Sequence, residues 1–305
     1  MYDIITLGSA NIDIFVKTKI NPEIRKHENH TDIAYHLGEK ILIEDLEITT
    51  GGGGTNTAVA FSRLGLKTAF IGALGEDAHG KHILSELEKE KVDFLGKTKP
   101  GNTGLSVILP SARERTILAY KGINNYLKIK DIKLTKIKTK WLYVSSMLGQ
   151  SQHTAEKIIH LANKRGIKIA LNFSLYLAKQ GTGNLSHILS VADLIIMNKE
   201  EARALTKKNN ITDIFKEIYD YTNAIVVITS SSGDIFASDS LKIYVKKIHP
   251  INPIDKTGAG DAFASGFIYG LMKKQDVDYA LNCGHKEALS ILQHIGAKNN
   301  LLRKL

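Results

Sequence analysis

The sequence predicts an α/β fold in which strands and helices alternate around a doubly wound, mostly parallel sheet. Short runs rich in β-branched residues recur between amphipathic stretches that are long enough for crossover helices. The strand-like runs are residues 4–7, 68–74, 141–146, 167–172, 194–197 and 224–229. Residues 155–164 exemplify the helices, because Ile158, Ile159 and Leu161 lie on one side and Gly166 follows as a C-cap. This alternation is typical of βαβ units in a layered α/β domain.

Two segments break this rhythm and predict a second, smaller sheet. Residues 14–50 and 103–121 contain extended, alternating stretches with no room for crossover helices. These stretches are residues 40–48, 105–109 and 115–120. Such a sheet would lie at the mouth of the core, where ligands bind beyond the carboxyl ends of the strands. The division we expect is a core of residues 1–13, 51–102 and 122–305, and a lid of residues 14–50 and 103–121.

Composition narrows the classes of partner. The chain has 305 residues, with 41 lysines and arginines against 31 aspartates and glutamates, a formal net charge of +10. This charge suits anionic partners such as nucleotides, sugar phosphates or nucleic acid. Because the basic residues are spread along the chain, the pattern favours a solvated basic surface, and we expect no nucleic-acid groove.

Cysteine usage and hydropathy exclude several further classes. The single cysteine, Cys283, excludes an intramolecular disulfide framework and a multi-cysteine zinc site, and it fits a reducing cytoplasm. No run of 18 apolar residues and no basic leader is found, so we expect neither membrane insertion nor export. The 11 histidines lack the spacing of H-E-x-x-H or a comparable ligand set, so we interpret them as surface or packing residues.

The strongest local signal is D-K-T-G-A-G-D-A-F at residues 255–263, followed by a helical pattern. If Gly258, Ala259 and Gly260 form the first turn of that helix, their unpaired N–H groups and the positive end of the helix dipole would hold an anion. Asp261 stands at the same place. On position alone its carboxylate equally suits capping of the helix, but phosphoryl transfer also needs a carboxylate beside anion-binding amides, to deprotonate the attacking hydroxyl.

A second glycine-rich segment, G-G-G-G-T-N-T-A, spans residues 51–58 and precedes a helical pattern that closes at Gly65. Consecutive glycines let the main chain approach a small polar ligand, and Asn56 offers both a donor and an acceptor. Taken alone, the segment suits a flexible connection capped by Asn56 even better. Residues 75–82 almost form a Walker A loop, but His82 stands where Ser or Thr must bind Mg²⁺. No glycine cluster completes G-x-G-x-x-G, so a nicotinamide dehydrogenase is weakly supported.

The order of these motifs resembles the ribokinase-like carbohydrate kinase family, often called PfkB, over essentially the full length. Residues 8–13 resemble the opening strand of that family with its substrate-binding aspartate. The matching elements that follow are residues 51–65, the first signature; 72–80, a G-x-x-G-x-D-x-x-G element; 198–201, an N-x-x-E element; 255–263, the second signature; and 288–297, the element lining the nucleotide pocket. An isolated N-x-x-E also suits an ordinary helix N-cap with acidic residues in the first turn.

The resemblance implies a three-layer α/β/α core with a mostly parallel sheet and a small β lid, and an ATP-dependent kinase for a hydroxyl of a sugar or sugar-like acceptor. It implies that Asp261 is the catalytic base and that Gly258, Ala259 and Gly260 hold the transferred phosphoryl group. Acceptor binding would fall to Asp13, Gly52, Gly53 and Asn56. Cofactor binding would fall to Asn172, Asn198, Thr229, Ser231, Gly233, Thr257, Gly258 and Gly260. Mg²⁺ would be held by Asn198 and by Glu201, the latter through water, with a monovalent cation as an additional option.

Two of three departures from the family pattern motivate alternative functions; the third departure is the length of residues 14–50, in the part of the chain that varies most with substrate in this family. Gly53 stands where ribokinases proper carry a lysine, which keeps a nucleoside kinase of the same family as the nearest alternative. Residues 229–233 shorten the T-x-G-x-x-G element, which motivates a catalytically weak nucleotide- or sugar-sensing protein. The net charge motivates a nucleic-acid-binding protein as the third alternative. Exposed lid strands commonly pair between subunits in this family, so a homodimer through the lid is a further expectation.

Overall fold

A nine-stranded sheet forms the middle layer of the structure. The computed structural model describes residues 1–28, 30–110, 115–230, 233–249 and 251–305. In spatial order the strands are β17 (Ile243–Lys246), β16 (Ile235–Ser238), β15 (Ile225–Thr229), β14 (Leu194–Asn198), β13 (Lys168–Asn172), β12 (Thr139–Ser145), β1 (Tyr2–Leu7), β6 (Thr68–Ile71) and β8 (Asp93–Phe94). Neighbouring strands are parallel from β15 to β8, whereas β16 runs antiparallel to both of its neighbours, β15 and β17. The predicted mostly parallel sheet is confirmed.

Helices cover both faces of this sheet. They are α1 (Gly53–Arg63), α2 (Ala78–Lys89), α3 (Gln150–Lys164), α4 (Leu175–Ala178), α5 (Gly181–Leu189), α6 (Lys199–Thr206), α7 (Ile211–Tyr219), α8 (Ala259–Lys274) and α9 (Val277–Ile291). Side chains alternate across β12, so Leu142 packs in one apolar cluster with Ile158 of α3. Tyr143 packs in the opposite cluster with Phe61 of α1 and Phe267 of α8. The two clusters make the predicted three-layer α/β/α arrangement.

One predicted strand, residues 68–74, is two strands in the structure. The chain bends at Gly72, after which β7 (Ala73–Gly75) pairs with β9 (Lys97–Lys99) in a separate two-stranded sheet. A Cβ atom on Gly72 would lie 2.3 Å from the ring of Phe70 and 2.8 Å from the carbonyl oxygen of Gly8. The apolar run of residues 68–74 gives no sign of this break. It arises at Gly72, where the backbone comes too close to its neighbours for a side chain to fit.

The smaller sheet has four strands, in the order β11 (Arg115–Tyr120), β10 (Gly104–Pro110), β2 (Asn11–Thr18) and β5 (Ile43–Gly51). Between β2 and β5, a hairpin is formed by β3 (Glu23–Lys26) and β4 (Thr31–Ala34). Strand β2 begins three residues before the predicted boundary at residue 14, because Asn11 already pairs with Gly51. Asp13 therefore belongs to the smaller sheet and faces the core from it.

Short 3₁₀ helices at Gly122–Tyr126, Ile129–Asp131 and Leu134–Lys136 lead from the smaller sheet back to β12. Helix α2 begins in the ordinary way, because the side chain of its N-cap Asp77 accepts a hydrogen bond from the N–H of Gly80. Within the described ranges, no helix is both long enough and apolar enough to cross a membrane.

Candidate active site

The glycine turn (residues 255–261) leads into helix α8 and carries the predicted base. Gly258 is the N-cap of this helix with φ 78°, a left-handed conformation that favours glycine. Asp261 follows in the first turn, and its Oδ2 accepts a hydrogen bond of 2.8 Å from Nδ2 of Asn56 in α1. Burial of the carboxyl group raises the pKa of Asp261 to about 6, while the hydrogen bond from Asn56 opposes that rise. A carboxylate with this pKa is ionised at neutral pH and is a stronger base than an exposed aspartate.

Asp255 holds the glycine turn in shape. Its Oδ1 accepts hydrogen bonds from the N–H (2.9 Å) and hydroxyl (2.7 Å) of Thr257, and its Oδ2 accepts one from the N–H of Gly296 (3.0 Å). A Cβ atom on Gly258 would lie 2.3 Å from Cβ of Ala297, so the turn packs directly against the C-terminal segment (residues 296–298). Both donors of Thr257, its N–H and its hydroxyl, are thereby engaged by Asp255, so its hydroxyl oxygen is left to accept a hydrogen bond.

The Asp13 pocket (Asn11, Asp13, Gly51 and Ser106) lies where the smaller sheet meets the core. Nδ2 of Asn11 donates to Oδ1 of Asp13 at 2.5 Å and to Oγ of Ser106 at 3.3 Å. Asp13 is 5% exposed, and burial raises the pKa of its carboxyl group. A Cβ atom on Gly51 would lie 2.0 Å from Oδ2 of Asp13. The next residue, Gly52, has φ 98°, so both glycines are needed for the close approach.

Gly53 and Ser145 lie between this pocket and the base. A Cβ atom on Gly53 would meet Oγ of Ser145 at 2.9 Å and Oδ1 of Asp261 at 3.4 Å. Oγ of Ser145 and Oδ1 of Asn56 are both buried and find no hydrogen-bond partner among the described residues. Buried polar atoms of this kind are costly in a folded protein, and they are expected where a polar ligand completes the hydrogen bonding.

Asn198 and Glu201 cap helix α6 reciprocally. The N–H of Glu201 donates to Oδ1 of Asn198 (2.8 Å), and the N–H of Asn198 donates to Oε2 of Glu201 (2.7 Å). Burial raises the pKa of Glu201 to about 7, and the charges of Glu200 and Asp261 add to the rise. Each side chain uses one oxygen in the cap, Oδ1 of Asn198 and Oε2 of Glu201, and each oxygen keeps acceptor capacity toward a cation or its bound water.

The residues predicted for the cofactor end neighbouring strands of the large sheet. Asn172 is the last residue of β13, Asn198 the last of β14 and Thr229 the last of β15, and Asn198 and Thr229 are paired in register. The carboxyl edge of the sheet therefore brings these three together. Gly233 follows β15, with no backbone strain at its position, and Ser231 lies outside the described residues.

Residues 3–304 match the model of the pfkB family of carbohydrate kinases. The chain belongs to this family. Among curated relatives of the pfkB kinase is the ribokinase of Haemophilus influenzae, 27% identical over 276 residues that cover 87% of this chain and 88% of the relative. The 5-dehydro-2-deoxygluconokinase of Clostridium perfringens is 29% identical over 313 residues, covering 95% of this chain and 87% of the relative.

Solved structures agree with the predicted ribokinase-like fold. The adenosine kinase from Sinorhizobium meliloti matches the pfkB kinase with a TM-score of 0.83 at 18% identity, covering 99% of this chain and 97% of that one. The ribokinase from Thermotoga maritima matches with a TM-score of 0.79 at 18% identity, covering 99% and 96%. The fold prediction is confirmed.

Kinases of the ribokinase family use ATP and a divalent metal, and the donor set of this pfkB kinase suits both. The first N–H groups of α8 lack partners within the helix and carry the positive end of its dipole, which favours phosphate, although the N–H of Ala259 makes a long bond of 3.3 Å to the carbonyl oxygen of Lys256. Glu201 offers a hard oxygen ligand close enough to Asp261 for their charges to interact. Among the described residues, one cluster of three metal-ligating side chains lies elsewhere, on the exposed β3–β4 hairpin: His27, His30 and Asp32.

Sequence reasoning missed three residues that contact this site and one that lies behind it. Asn11 and Ser106 orient Asp13, Ser145 faces Gly53, and Lys298 lies behind the Asp13 pocket. Asn11 carries a readable signal, because it stands two residues before Asp13 on the same face of a strand. Ser106, Ser145 and Lys298 are far apart in the chain and carry none.

Proposed function

We propose that this pfkB kinase transfers the γ-phosphoryl group of ATP to a hydroxyl of a sugar, with Asp261 as the base. One observation carries the proposal: the carboxylate of Asp261 lies at the N-terminus of α8, bonded to Asn56 and opposite Gly53. A capping aspartate would direct its side chain to backbone N–H groups of its own helix. The bond to Asn56 on another helix therefore favours the base over the cap.

The residues of the chain divide the reaction between them. Asp261 accepts the proton of the acceptor hydroxyl, and the freed oxygen attacks the γ-phosphorus while the bond to the β-phosphate oxygen breaks. The N–H groups of Gly258, Ala259 and Gly260 hold the charge that develops on the transferred phosphoryl group. A divalent cation such as Mg²⁺, oriented through Glu201, would supply further neutralisation of phosphate charge when bound.

The acceptor would lie between the Asp13 pocket and Ser145. Asp13 is already fixed by Asn11, so its remaining lone pairs can accept hydrogen bonds from two acceptor hydroxyls. The free Oγ of Ser145 and Oδ1 of Asn56 can complete the set. We infer that the smaller sheet acts as a lid that excludes water, since Asp13 is carried by its strand β2.

A nucleoside is the second candidate acceptor. Its motivation is Gly53, where the missing side chain leaves room against Ser145 and Asp261. Since both candidates present ribose-like hydroxyls to Asp13 and Asp261, the two share one mechanism and differ in what lies beyond the sugar ring.

We further propose a homodimer through the lid. Strand β11 is an edge strand with five consecutive exposed residues, and both edge strands of the smaller sheet expose apolar side chains. These are Ile43, Leu46, Ile48, Ile117, Leu118 and Tyr120. Edges of this kind pair with other chains unless they are covered. Light scattering should give twice the monomer mass, and Leu118→Glu should shift it to the monomer; a monomeric wild type contradicts the dimer.

The deciding experiment is ADP release from Mg·ATP against a panel of pentoses, hexoses, sugar phosphates and nucleosides, with and without K⁺. We expect turnover with at least one sugar or nucleoside, and loss of that turnover in Asp261→Asn. Binding of ATP to the variant, measured by calorimetry, controls for folding. Absence of turnover across the panel despite ATP binding would favour the nucleotide-sensing alternative and overturn the proposal.

A further inference from the structure

Lys298 is a lysine that the proposed mechanism does not use, yet it is buried to 6% exposure. Its Nζ donates to Oγ1 of Thr50 and to Oε2 of Glu86, each at 2.7 Å. Arg63 donates from Nη1 to the Lys298 carbonyl oxygen at 2.7 Å and so fixes its backbone. Burying an ammonium group is costly even when it is paired, and a well-packed apolar residue is often as stable there. Stability alone therefore gives a weak account of this residue.

The place of Lys298 in the chain gives a stronger account. The C-terminal segment contacts both halves of the active site within three residues: Gly296 donates to Asp255, and Ala297 packs against Gly258 of the glycine turn. Lys298 then reaches Thr50 in β5, one residue after Thr49, which pairs with Asp13. One short segment thus joins the turn that carries the base to the strand that carries the Asp13 pocket.

The charge of Lys298 also reaches both carboxylates. It lowers the pKa of Asp13 and the pKa of Asp261, against the larger upward effect of burial at each. A polar cavity of about 290 Å³ opens beside it between β5, α2 and the C-terminal segment. The titratable and charged groups around this cluster are Glu86 and His82 on α2, Glu90 just after it, Arg63 on α1, Asp13 on β2, Glu47 on β5, Asp255 and Asp261 of the glycine turn, and Glu201 on α6.

We propose that Lys298 is a positioning residue for phosphoryl transfer. Its ammonium group holds β5 against the C-terminal segment, so that the Asp13 pocket and the glycine turn keep a fixed separation. The inference rests on the proposed function and deepens it, because it assigns the alignment of acceptor and base to a residue that touches neither.

The test uses a charge-neutral pair of substitutions, since Lys298→Met alone would leave Glu86 unpaired in a partly buried place. Lys298→Met with Glu86→Gln removes both charges and keeps the packing volume. Lys298→Arg keeps the cation, and Lys304→Met repeats the same change at an exposed lysine. Acceptor KM, kcat and the pH dependence of kcat/KM are measured for each, together with ATP binding in the absence of acceptor.

We expect the double variant to raise acceptor KM about tenfold and to move the acid limb of kcat/KM upward by about half to one pH unit, because a nearby cation is lost. ATP binding and the melting temperature should stay near those of the wild type, and Lys298→Arg should recover most of the KM. An acid limb and a KM equal to those of the wild type would overturn the inference. Equal losses of affinity for ATP and for acceptor, with an unchanged acid limb of kcat/KM, would also overturn it, because that result is expected of a purely structural residue.

Hydrogen exchange makes the test independent of turnover. In the double variant, backbone amides of residues 49–51 and 257–261 should exchange faster than in the wild type and in Lys304→Met, because the segment joining them has lost its anchor. Unchanged exchange at both places would overturn the positioning role even if the enzyme is active. If exchange is faster in the double variant but the wild type phosphorylates no acceptor, the structural role of Lys298 is supported and the proposed function is rejected.

Discussion

The glycine turn and the Asp13 pocket each present a buried carboxylate to the proposed reaction, but they are assembled from the chain in opposite ways. The turn is seven consecutive residues that lead into one helix, held by bonds of Asp255 within it and by one bond from Gly296. The Asp13 pocket takes Asn11, Gly51 and Ser106 from three strands and is backed by a lysine from the end of the chain. Chemistry carried by one contiguous motif is changed by few substitutions, whereas a pocket assembled from distant segments is where acceptor specificity can drift.

Asp261→Asn gives the largest effect and tests the turn alone. The amide keeps the shape and the contact with Asn56 but cannot accept the hydroxyl proton, and loss of a general base typically costs about 10²–10⁴ in rate. Single-turnover kinetics should display this loss while ATP binding is preserved. A kcat near that of the wild type would remove Asp261 from the mechanism.

Asp13→Ala gives the next largest effect and tests the pocket alone. Each charge-assisted hydrogen bond to an acceptor hydroxyl is worth about 1.5–3 kcal/mol, so acceptor KM should rise strongly and kcat should fall with the poorer alignment. ATP binding measured without acceptor should be nearly unchanged. Asn11→Ala serves as the matched variant, with a smaller effect in the same direction. If binding of ATP and of the acceptor were weakened equally, the turn and the pocket would not act on separate ligands.

Glu201→Gln gives a third, smaller effect that belongs to neither region. The amide keeps the cap of α6 through its carbonyl oxygen but loses the charge facing the site, so half-maximal activity should need about 10–100 times more Mg²⁺. Acceptor KM should change much less. A Mg²⁺ titration that matches the wild type would exclude Glu201 from metal binding and leave it as a helix cap.

The same contrast explains which features of the fold and the site could be predicted from the sequence. The alternation of strand-like runs and helices is local, so the layered fold, the smaller sheet and the glycine turn follow from periodicity and motif order. The break at Gly72 and the engagement of Asn198 in its own helix depend on contacts made only after folding. Ser145 and Lys298 matter through neighbours more than 80 residues away in the chain, so no local pattern could have revealed them.

The last effect concerns stability rather than activity, and it tests whether burying the ionised carboxylate of Asp261 costs stability. Burial raises the pKa of Asp261 to about 6 from the ordinary 3.8, so the folded state binds this proton more tightly than the unfolded state does. Ionised Asp261 therefore costs stability increasingly as pH rises from about 4 to 6, and the cost is constant above that range. Asp261→Asn removes it, so unfolding at pH 8 should be harder by up to about 3 kcal/mol, and the gain should vanish below about pH 3, where the aspartate is neutral in both states.

A control of opposite sign is available in Glu90. The hydrogen-bonded Arg63 guanidinium holds the pKa of that carboxyl below its ordinary value, so its contribution is present above the unfolded pKa and is lost as pH falls through the folded one. Glu90→Gln should therefore lower the melting temperature at pH 8 while Asp261→Asn raises it, and both differences should shrink on acidification. If Asp261→Asn lowers the melting temperature at pH 8, the carboxylate is stabilised where it lies. It would then be a helix cap satisfied by its surroundings, and the high pKa that makes it an effective base would have no physical support.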